Sequence, residues 1–587
     1  MLPSELASKI ALARSLTDRP HSVRFATPAT VAETLHCQTN ARSDAPYLTY
    51  LADDGAIRTY TYAQFYARVR RIAAMLHVFA GVQRGERIAT AMHNHDDTIA
   101  IAFAAWHLGA SVVPLNMGED DKRLAYIFQH SGAKVVFVLD EYANRIRPLA
   151  RAATKIEHII RVGRTFLSAQ ETNDDVSFDS VLPPIDVPQF ATPENVSPDD
   201  AALIVYTSGT TGVPKGVVLT QYNLIADAFA ISSWQGLKAQ TRMMCVLPVH
   251  HVNGMVVTHI TPLFAGGCVV LNRKFSAKTF FAIAAQHNIH IASVVPTLLQ
   301  FLIEATPAHF NAHESVPSLR YLICGAGPLT VDLAARFEER FGIPICHGYG
   351  LSESTCYSCF VPVVDNAKDP LHTAWMRQYG YPSIGVPVAT NEMAIHNDNG
   401  KPLGEGQKGE IVIRGHNIMS GYDDNEKANE AAFTHGWFRS GDEGFYKTGA
   451  DGLPYFFISG RFKELIVRGG VKISPLEIDE VLNRIDGVQA AMAVGFDNVT
   501  YGEEVGAYVV PKPGVEIDES KVIAACRAVL PFAMSPKVVV FGETFPVTST
   551  GKYQRNSLKP LFSAHRETQF REGKKINCNR SLPLRRQ

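Results

Sequence analysis

Short apolar runs alternate with stretches of helical periodicity through most of the chain. Runs typical of buried strands lie at residues 134–139, 201–205, 268–271, 290–295 and 319–324. Between the last of these and the next strand, Leu333, Phe337 and Phe341 recur at helical spacing. Because alternating strands and helices build parallel sheets covered by helices on both faces, the pattern predicts an α/β fold with doubly wound sheets.

The pattern changes near residue 400. Turns rich in Gly and Asp separate short strand-like segments at residues 409–414, 436–440 and 454–459. They predict an antiparallel, β-rich subdomain. We therefore predict a large N-terminal domain of two doubly wound sheets plus this subdomain (residues 1–460), a small α+β C-terminal domain (461–565) and a basic, disordered tail (566–587).

Composition narrows the class of protein. The 587 residues are 46% hydrophobic and carry a formal net charge of −1, which gives no general attraction to nucleic acid or to an anionic membrane. Nine cysteines, an odd number without framework spacing, fit a reducing compartment, so we expect a cytoplasmic protein. Residues 98–115 and 254–271 are apolar, but Gly, Pro and His interrupt them, so we expect no transmembrane segment. No secretory signal is expected either.

The most informative segment is residues 206–216, which read Tyr-Thr-Ser-Gly-Thr-Thr-Gly-Val-Pro-Lys-Gly. Apolar runs flank it, so it is predicted to be a loop between two strands. Glycines let backbone N–H groups close around an anion, hydroxyls add donors, and Lys215 adds a charge. A Walker P-loop is excluded, because that motif needs Gly-Lys-Ser/Thr opening a helix. A plain hairpin loop is the simpler alternative, but such loops seldom carry this many hydroxyls with a lysine.

Four further residues carry groups suited to a nucleotide, each with a simpler alternative. Glu353 follows the apolar run at residues 343–346 and suits Mg²⁺, although a helix N-terminal glutamate would look the same. Asp442, after a glycine turn, suits ribose hydroxyls or belongs to an ordinary hairpin. Arg461 and Lys552 offer cations at turns, where solvated surface residues are common.

Together these segments resemble, in order and spacing, the adenylate-forming superfamily of AMP-dependent synthetases and ligases, and most of all its acyl-CoA synthetases. The resemblance covers roughly residues 30–562. It implies that the loop holds the β- and γ-phosphates of ATP through Thr207, Ser208, Gly209, Thr210, Thr211, Gly212 and Lys215. It also implies an adenine and acyl-tunnel wall formed by Gly325, Ala326, Gly327, His347, Gly348, Tyr349 and Gly350.

The resemblance assigns the remaining roles as well. Ser352 contacts the α-phosphate, Glu353 binds Mg²⁺, and Lys552 is essential for adenylation. Asp442 binds the ribose with Arg461 beside it. The small domain is implied to be a mobile lid, with its hinge at Lys463 and with Gly469 and Gly470 bordering the thiol tunnel. These implied roles predict an enzyme that uses ATP and Mg²⁺ to convert a carboxylic acid to acyl-AMP and then transfers the acyl group to CoA.

Residues 248–254 also resemble the family's Pro-Leu-Phe-His-Val-Asn-Gly segment, and this resemblance implies an acyl pocket around His251, Asn253 and Val295. A metal site at the adjacent His250 and His251 is disfavoured, because no third ligand stands at useful spacing. No Lys or Arg falls at the expected wall positions, which favours a fatty or other uncharged, apolar acid.

Two other functions stay open from the sequence. A stand-alone ligase would load the acyl group onto a carrier protein's phosphopantetheine, and it would share the first half-reaction. A non-catalytic nucleotide-binding regulator is the third hypothesis, and the presence of Glu353, Asp442 and Lys552 argues against it.

Overall fold

The computed structural model describes residues 4–163, 175–183, 196–207, 213–547 and 553–571. The described residues divide into two compact units. The first contains the residues up to Ser459 together with Val547, and the second contains residues 460–546 and 553–571. Helices of the first unit are Ser4–Ala13, Val31–Arg42, Tyr62–Val78, Asp96–His107, Asp121–Ser131, Asp140–Ala152, Phe178–Val181, Gln221–Gln235, Thr261–Ala265, Phe280–Gln286, Pro296–Ala305, Ala312–Ser315, Val331–Phe341, Pro370–Arg377 and Glu426–Ala432.

The first sheet of this unit has nine strands and a parallel centre. Its spatial order is Val386–Pro387, Cys359–Phe360, Ile345–Tyr349, Tyr321–Cys324, Ile291–Val294, Arg242–Cys245, Cys268–Asn272, Pro46–Leu51 and Ile57–Thr61. The central strands are buried along their whole length, as expected for strands covered by helices on both faces. Antiparallel strands close both edges.

The second sheet has eight strands and a similar parallel centre. Its order is Gly421–Tyr422, Lys215–Thr220, Ala201–Thr207, Ser111–Pro114, Arg87–Ala91, Val135–Leu139, His158–Val162 and Asp175–Ser177. Ala201–Thr207 and Lys215–Thr220 pair antiparallel, with Thr207 opposite Lys215, so the predicted phosphate loop does join two strands.

The third sheet is the predicted β-rich subdomain. Its four strands are Asn391–His396, Gly409–Gly415, Phe438–Thr448 and Pro454–Arg461, and the pairs with described registers are antiparallel. Short 3₁₀ turns occur at Ser352–Ser354 and Thr434–Gly436, and a π-helix occupies Asn253–Ile260. The predicted fold class, including both doubly wound sheets, is confirmed.

The second unit is a five-stranded sheet with two helices. The strands are Val471–Ile473, Ile466–Arg468, Gly502–Pro511, Val488–Asn498 and Val538–Phe541. Helices Pro475–Asn483 and Glu519–Val529 pack on it through an apolar core, and a 3₁₀ segment spans Arg555–His565.

The start of the predicted tail differs from the expectation. Residues 566–571 lie against the second unit, where Asn498 donates to the carbonyl oxygens of Arg566 (3.2 Å) and Thr568 (2.9 Å). Phe570 is buried there. Sequence periodicity missed this contact because one aromatic residue and one asparagine create it. Residues 572–587 lie outside the described residues.

Each of the two apolar stretches is divided into a helical part and a strand, as their Gly and Pro residues predicted. Residues 98–115 contain most of helix Asp96–His107 and the strand Ser111–Pro114, and residues 254–271 contain helical turns followed by most of the strand Cys268–Asn272. Within the described part of the chain, no helix is both long and apolar enough to cross a bilayer.

Candidate active site

Two of the predicted nucleotide residues meet directly. Tyr349 ends the strand Ile345–Tyr349 of the first sheet, and Asp442 lies within Phe438–Thr448 of the third. The Tyr349 hydroxyl donates to Asp442 Oδ2 at 2.7 Å, and both side chains are buried. The carboxyl ends of parallel strands are the usual place for a ligand in an α/β sheet. This bond therefore joins a ring suited to base stacking to a carboxylate suited to ribose.

Glu353 has a protein partner that the sequence did not indicate. The Tyr422 hydroxyl donates to Glu353 Oε1 at 2.8 Å, and Lys215 Nζ lies 4.7 Å from the centre of the Tyr422 ring. Burial and the nearby carboxylate raise the pKa of Tyr422, so the phenol stays protonated and can donate. The arrangement gathers a carboxylate and a cation on one tyrosine, at the edge strand of the second sheet.

The chemistry of Glu353 fits a magnesium ion. Mg²⁺ is usually bound by one or two carboxylates together with substrate phosphates, and the carboxylate of Glu353 is an oxygen donor of that kind. Lys215, a cation of a type suited to phosphate, lies within the same cluster. Of the predicted phosphate loop, Thr207 and Lys215 are described, whereas Ser208, Gly209, Thr210, Thr211 and Gly212 lie outside the described residues.

Backbone segments approach each other unusually closely beside the Tyr349 strand. A Cβ on Gly325 would lie 2.6 Å from the Gly348 carbonyl oxygen, and a Cβ on Gly350 would lie 1.8 Å from that of Cys356. Only glycine fits either position. Ala326, next to Gly325, has a φ of 61°, a strained value for a residue with a side chain. The surrounding structure holds this wall in one shape.

His347 is a neutral, structurally bound histidine. Its Nδ1 lies 2.7 Å from the Ser383 carbonyl oxygen, and burial lowers the pKa of the imidazole to about 4. Because a carbonyl oxygen only accepts, the Nδ1 carries the proton and donates. His347 thus connects the middle of the strand Ile345–Tyr349 to the segment around Ser383.

A cavity of about 80 Å³ lies next to these groups, and several predicted residues line it. Its wall is formed by Leu247, Pro248, His251, Val252, Asn253, Val295, Ala326, Gly350, Leu351, Ser352, Cys356 and Tyr357. The structure therefore brings the three predicted acyl-pocket residues together with Ser352, the predicted α-phosphate contact. No lysine or arginine is among the described residues of this wall.

Neutral hydrogen bonds hold the polar side of the cavity. Asn253 donates to the Tyr357 hydroxyl at 3.2 Å, and Ser293 donates to Asn253 Oδ1 at 2.7 Å. Asn253 opens the π-helix Asn253–Ile260, a rare backbone form that is frequent at functional sites. The Asn253 amide is therefore held between Ser293, in the strand Ile291–Val294, and Tyr357, in the segment after the strand Ile345–Tyr349.

Behind Tyr357 lies a buried acid that sequence reasoning missed. Asn417 Nδ2 donates to Asp227 Oδ1 at 2.9 Å and to the Tyr357 carbonyl oxygen at 3.0 Å. Burial raises the pKa of Asp227 to about 8, so the carboxyl is protonated at neutral pH. Asp227, Asn417 and Tyr357 are far apart along the chain, and no local motif marks any of them.

The second unit holds the other predicted residues. Arg461 ends the strand Pro454–Arg461, and Lys463 lies in the turn after it. Gly469 and Gly470 form the tip of a hairpin, with φ values of 57° and 85°. Lys552 lies outside the described residues.

One cluster of side chains that could ligate a metal ion is accounted for by ion pairs with arginines. His95, Asp96 and Asp97 offer ligand atoms within 4.8 Å of one another. However, Arg58 pairs with Asp96 at 2.6 Å, and Arg68 pairs with Asp97. These guanidinium groups already balance the two carboxylates.

Family models match both parts of the chain. The AMP-binding enzyme model matches residues 35–423, and the AMP-binding enzyme C-terminal domain model matches residues 477–552. The chain therefore belongs to the AMP-binding enzyme family, and it is an ATP-dependent, AMP-forming acid–CoA ligase. The predicted superfamily and enzyme class are confirmed.

Similar proteins are CoA ligases that differ in the acid named. The sulfoacetate–CoA ligase of Cupriavidus necator is 36% identical over 82% of this chain and 88% of its own length. The oxalate–CoA ligase of Arabidopsis thaliana is 34% identical over 86% of this chain and 93% of its own. The ATP-bound structure of MatB from Rhodopseudomonas palustris superposes with a TM-score of 0.78 at 24% identity, over 91% of this chain and 99% of that one, and shows the shared fold.

Proposed function

We propose that this ligase activates a small carboxylic acid with ATP and Mg²⁺ and transfers the acyl group to CoA. The observation that carries the proposal is the position of the cavity. Ser352 and Gly350 line it, and the same short segment leads from Tyr349 to Glu353. An acid in the cavity would therefore meet a nucleotide bound at Tyr349 and Asp442.

In the first half-reaction, a carboxylate oxygen of the acid attacks the α-phosphorus of ATP. The bond to the bridging oxygen breaks, and pyrophosphate leaves with that electron pair. Ser352 would contact the α-phosphate, while Thr207, Lys215 and the loop between them would hold the β- and γ-phosphates. Lys552 would stabilise the charge that develops on the α-phosphoryl oxygens. A magnesium ion on Glu353 would supply further charge neutralisation.

In the second half-reaction, the sulfur of CoA attacks the acyl carbon and AMP leaves. The thiol proton is lost to solvent or to the departing phosphate. Gly469 and Gly470 would border the path of the thiol, because a narrow pantetheine arm must pass close to backbone. The small unit, turning on Lys463, would present Lys552 for the first step and the hairpin for the second.

The cavity supports a short acid without a charged tail. Its volume, about 80 Å³, is small beside the roughly 300–1,000 Å³ of sites for drug-sized ligands. Val252 and Val295 face the same space as His251 and Asn253, and no described wall residue is a permanent cation. The volume therefore favours a short acid over a long fatty chain. The sequence-based preference for an uncharged acid stays a prediction, since the similar enzymes are named for sulfoacetate and oxalate.

A panel of acids tests this proposal through AMP formation. Propionate, butyrate, benzoate, palmitate, oxalate and sulfoacetate should be compared with CoA as the acceptor. We expect butyrate or propionate to give the highest kcat/KM. Palmitate as the best substrate would contradict the size argument, and oxalate or sulfoacetate as the best would contradict the uncharged tail.

The same panel separates the two alternatives. Replacing CoA by a phosphopantetheinylated carrier protein should give little acyl transfer. Faster transfer to the carrier would make this chain a carrier-loading ligase. If no acid stimulates pyrophosphate release, the enzyme assignment itself fails and a nucleotide-binding regulator is favoured.

A further inference from the structure

The Gly469–Gly470 tip stands on a short hairpin whose apolar support lies at its base, where Ile466 and Ile473 are buried in the core of the second unit. Strands Ile466–Arg468 and Val471–Ile473 pair antiparallel, with Arg468 opposite Val471. The two glycines between them have positive φ, as a two-residue hairpin turn requires. Val467 and Val471 are both exposed, so packing from that face does not fix the hairpin.

The hairpin is tied to the sheet beneath it by a buried ion pair. Arg468 Nε lies 2.7 Å from Glu504 Oε1, and the side chains are 11% and 0% exposed. The Arg468 guanidinium also lies 3.9 Å from the centre of the Tyr501 ring. The Gly469 N–H donates to the Tyr501 carbonyl oxygen at 2.7 Å, so the same neighbouring segment holds both the arginine and the turn.

A second cation shares the carboxylate. Lys537 Nζ lies 3.5 Å from Glu504 Oε1, with both side chains 0% exposed. It donates to the carbonyl oxygens of Phe532 at 2.6 Å and Ser535 at 2.5 Å. Burial lowers the pKa of Lys537 to about 8, which reflects the unfavourable desolvation of this charge.

Such a cluster is a poor source of stability. Desolvating buried charges offsets most of their attraction, and apolar side chains of similar volume are often at least as stabilising. Buried charged groups at such a position are better explained by the fixed distances and directions of their contacts than by added stability. Here the contact fixes the hairpin, because Arg468 is the residue immediately before its tip.

We propose that Arg468 and Glu504 are positioning residues for the thiol half-reaction, in which their buried ion pair fixes the Gly469–Gly470 tip beside the path of the CoA thiol. This inference rests on the proposed function of the tip. Lys537 has a different role. It neutralises Glu504, and its other hydrogen bonds go to Phe532 and Ser535, which lie outside the hairpin. The alternative is that Arg468 binds a phosphate of CoA directly.

Three substitutions in the full-length protein separate these roles. Arg468→Met removes the tie but leaves Glu504 paired with Lys537, so no buried anion is left without a cation. Glu504→Met keeps the cation of Arg468 and removes the oxygen that accepts its hydrogen bond. Lys537→Met is the matched control, because it removes a cation from the same cluster and leaves the tie intact.

Two rates are measured for each variant: acid-dependent pyrophosphate release, and attack of CoA on pre-formed acyl-AMP. We expect Arg468→Met and Glu504→Met to slow CoA attack about 10- to 100-fold, with pyrophosphate release and the KM for CoA nearly unchanged. Lys537→Met should keep the wild-type ratio of the two rates. Amide hydrogen exchange over residues 466–473 should quicken in the first two variants and not in the third.

Three results would overturn the inference. The first is equal loss of both half-reactions in Arg468→Met. The second is the same selective loss in Lys537→Met. The third is normal CoA attack in Glu504→Met with loss in Arg468→Met, which would make Arg468 a direct CoA ligand. Failure of the proposed function looks different, because the wild type itself would then form no AMP with any acid. Even in that case, unchanged hydrogen exchange in all three variants would show that the Arg468–Glu504 ion pair does not hold the hairpin.

Discussion

The cavity of the first unit and the hairpin of the second are held in place by different physical means. The cavity lies at the ends of parallel strands, and neutral groups fix its polar wall: Asn253, Tyr357 and the protonated Asp227. The hairpin lies at the edge of an antiparallel sheet, and a buried ion pair between Arg468 and Glu504 fixes it.

The difference follows from what surrounds each region. The cavity is lined by segments that follow buried strands of the first unit, and hydrogen bonds without net charge set the shape of its polar side. If the proposed function holds, such a wall would leave the charge of an entering carboxylate to be balanced at the nucleotide end. In the hairpin, only Ile466 and Ile473 at the base reach the apolar core. The end near the tip carries two exposed valines and a glycine turn, so a directional contact at Arg468 is what can set the position of the tip.

The largest expected effect separates the two half-reactions themselves. Lys552→Ala should lower acid-dependent pyrophosphate release about 10²- to 10³-fold, because it removes the charge that stabilises the α-phosphoryl transition state. CoA attack on pre-formed acyl-AMP should stay near the wild-type rate. Single-turnover assays of both steps measure this, and equal loss of both would remove Lys552 from its assigned role.

The next effect concerns the hairpin tip. Gly470→Leu should slow CoA attack about 10- to 100-fold and leave adenylation nearly unchanged, since a side chain at the tip would narrow the thiol path. Gly514→Leu is the matched control: it lies in the same unit, has a φ of 74° and, like Gly470, has nothing within 4 Å of a Cβ. If the control shows the same selective loss, backbone strain and not the path is responsible. A larger effect of Gly470→Leu on adenylation would contradict the two-conformation account.

The neutral wall of the cavity predicts a pH-dependent stability. The pKa of Asp227 is about 8 in the folded protein and lies near 3.8 when the carboxyl is unperturbed. Between about pH 4 and pH 8 the folded state therefore binds the extra proton, and its stability falls as pH rises. Asp227→Asn cannot titrate, so its unfolding free energy relative to wild type should rise by up to about 1.4 kcal/mol per pH unit in this window.

Urea unfolding at several pH values between 5 and 8 measures this difference. Ser232→Ala, another buried polar site on the same helix, should show no pH-dependent difference. A constant offset for Asp227→Asn would mean that Asp227 is ionised in the folded protein, and the contrast between a neutral cavity and a charged hairpin anchor would fail.

The smallest effect lies at the nucleotide. Tyr349→Phe removes one hydrogen bond to Asp442 and should raise the KM for ATP about three- to tenfold with little change in kcat. Tyr422→Phe, which removes the bond to Glu353, should instead raise the Mg²⁺ concentration needed for half-maximal rate. If both variants changed only the KM for the acid, the assignment of these tyrosines to the nucleotide would be wrong.

Much of the fold was predictable from the chain. The strands at residues 201–205 and 268–271 appear as Ala201–Thr207 and Cys268–Asn272, because continuous apolar runs suit strands buried on both faces. The change of pattern near residue 400 marked the antiparallel sheet. Residues 566–571 were misjudged, since their packing depends on Asn498 and Phe570 and not on any periodicity.

Of the candidate site, the sequence indicated the parts but not their partners. The bond between Tyr349 and Asp442 spans 93 residues, that between Tyr422 and Glu353 spans 69, and the tie between Arg468 and Glu504 spans 36. The phosphate loop and the two glycines of the hairpin are recognisable because their chemistry lies in adjacent residues. The size of the cavity, the protonated Asp227 and the anchor of the hairpin were decided only by the tertiary structure, because burial and contacts between distant segments set them.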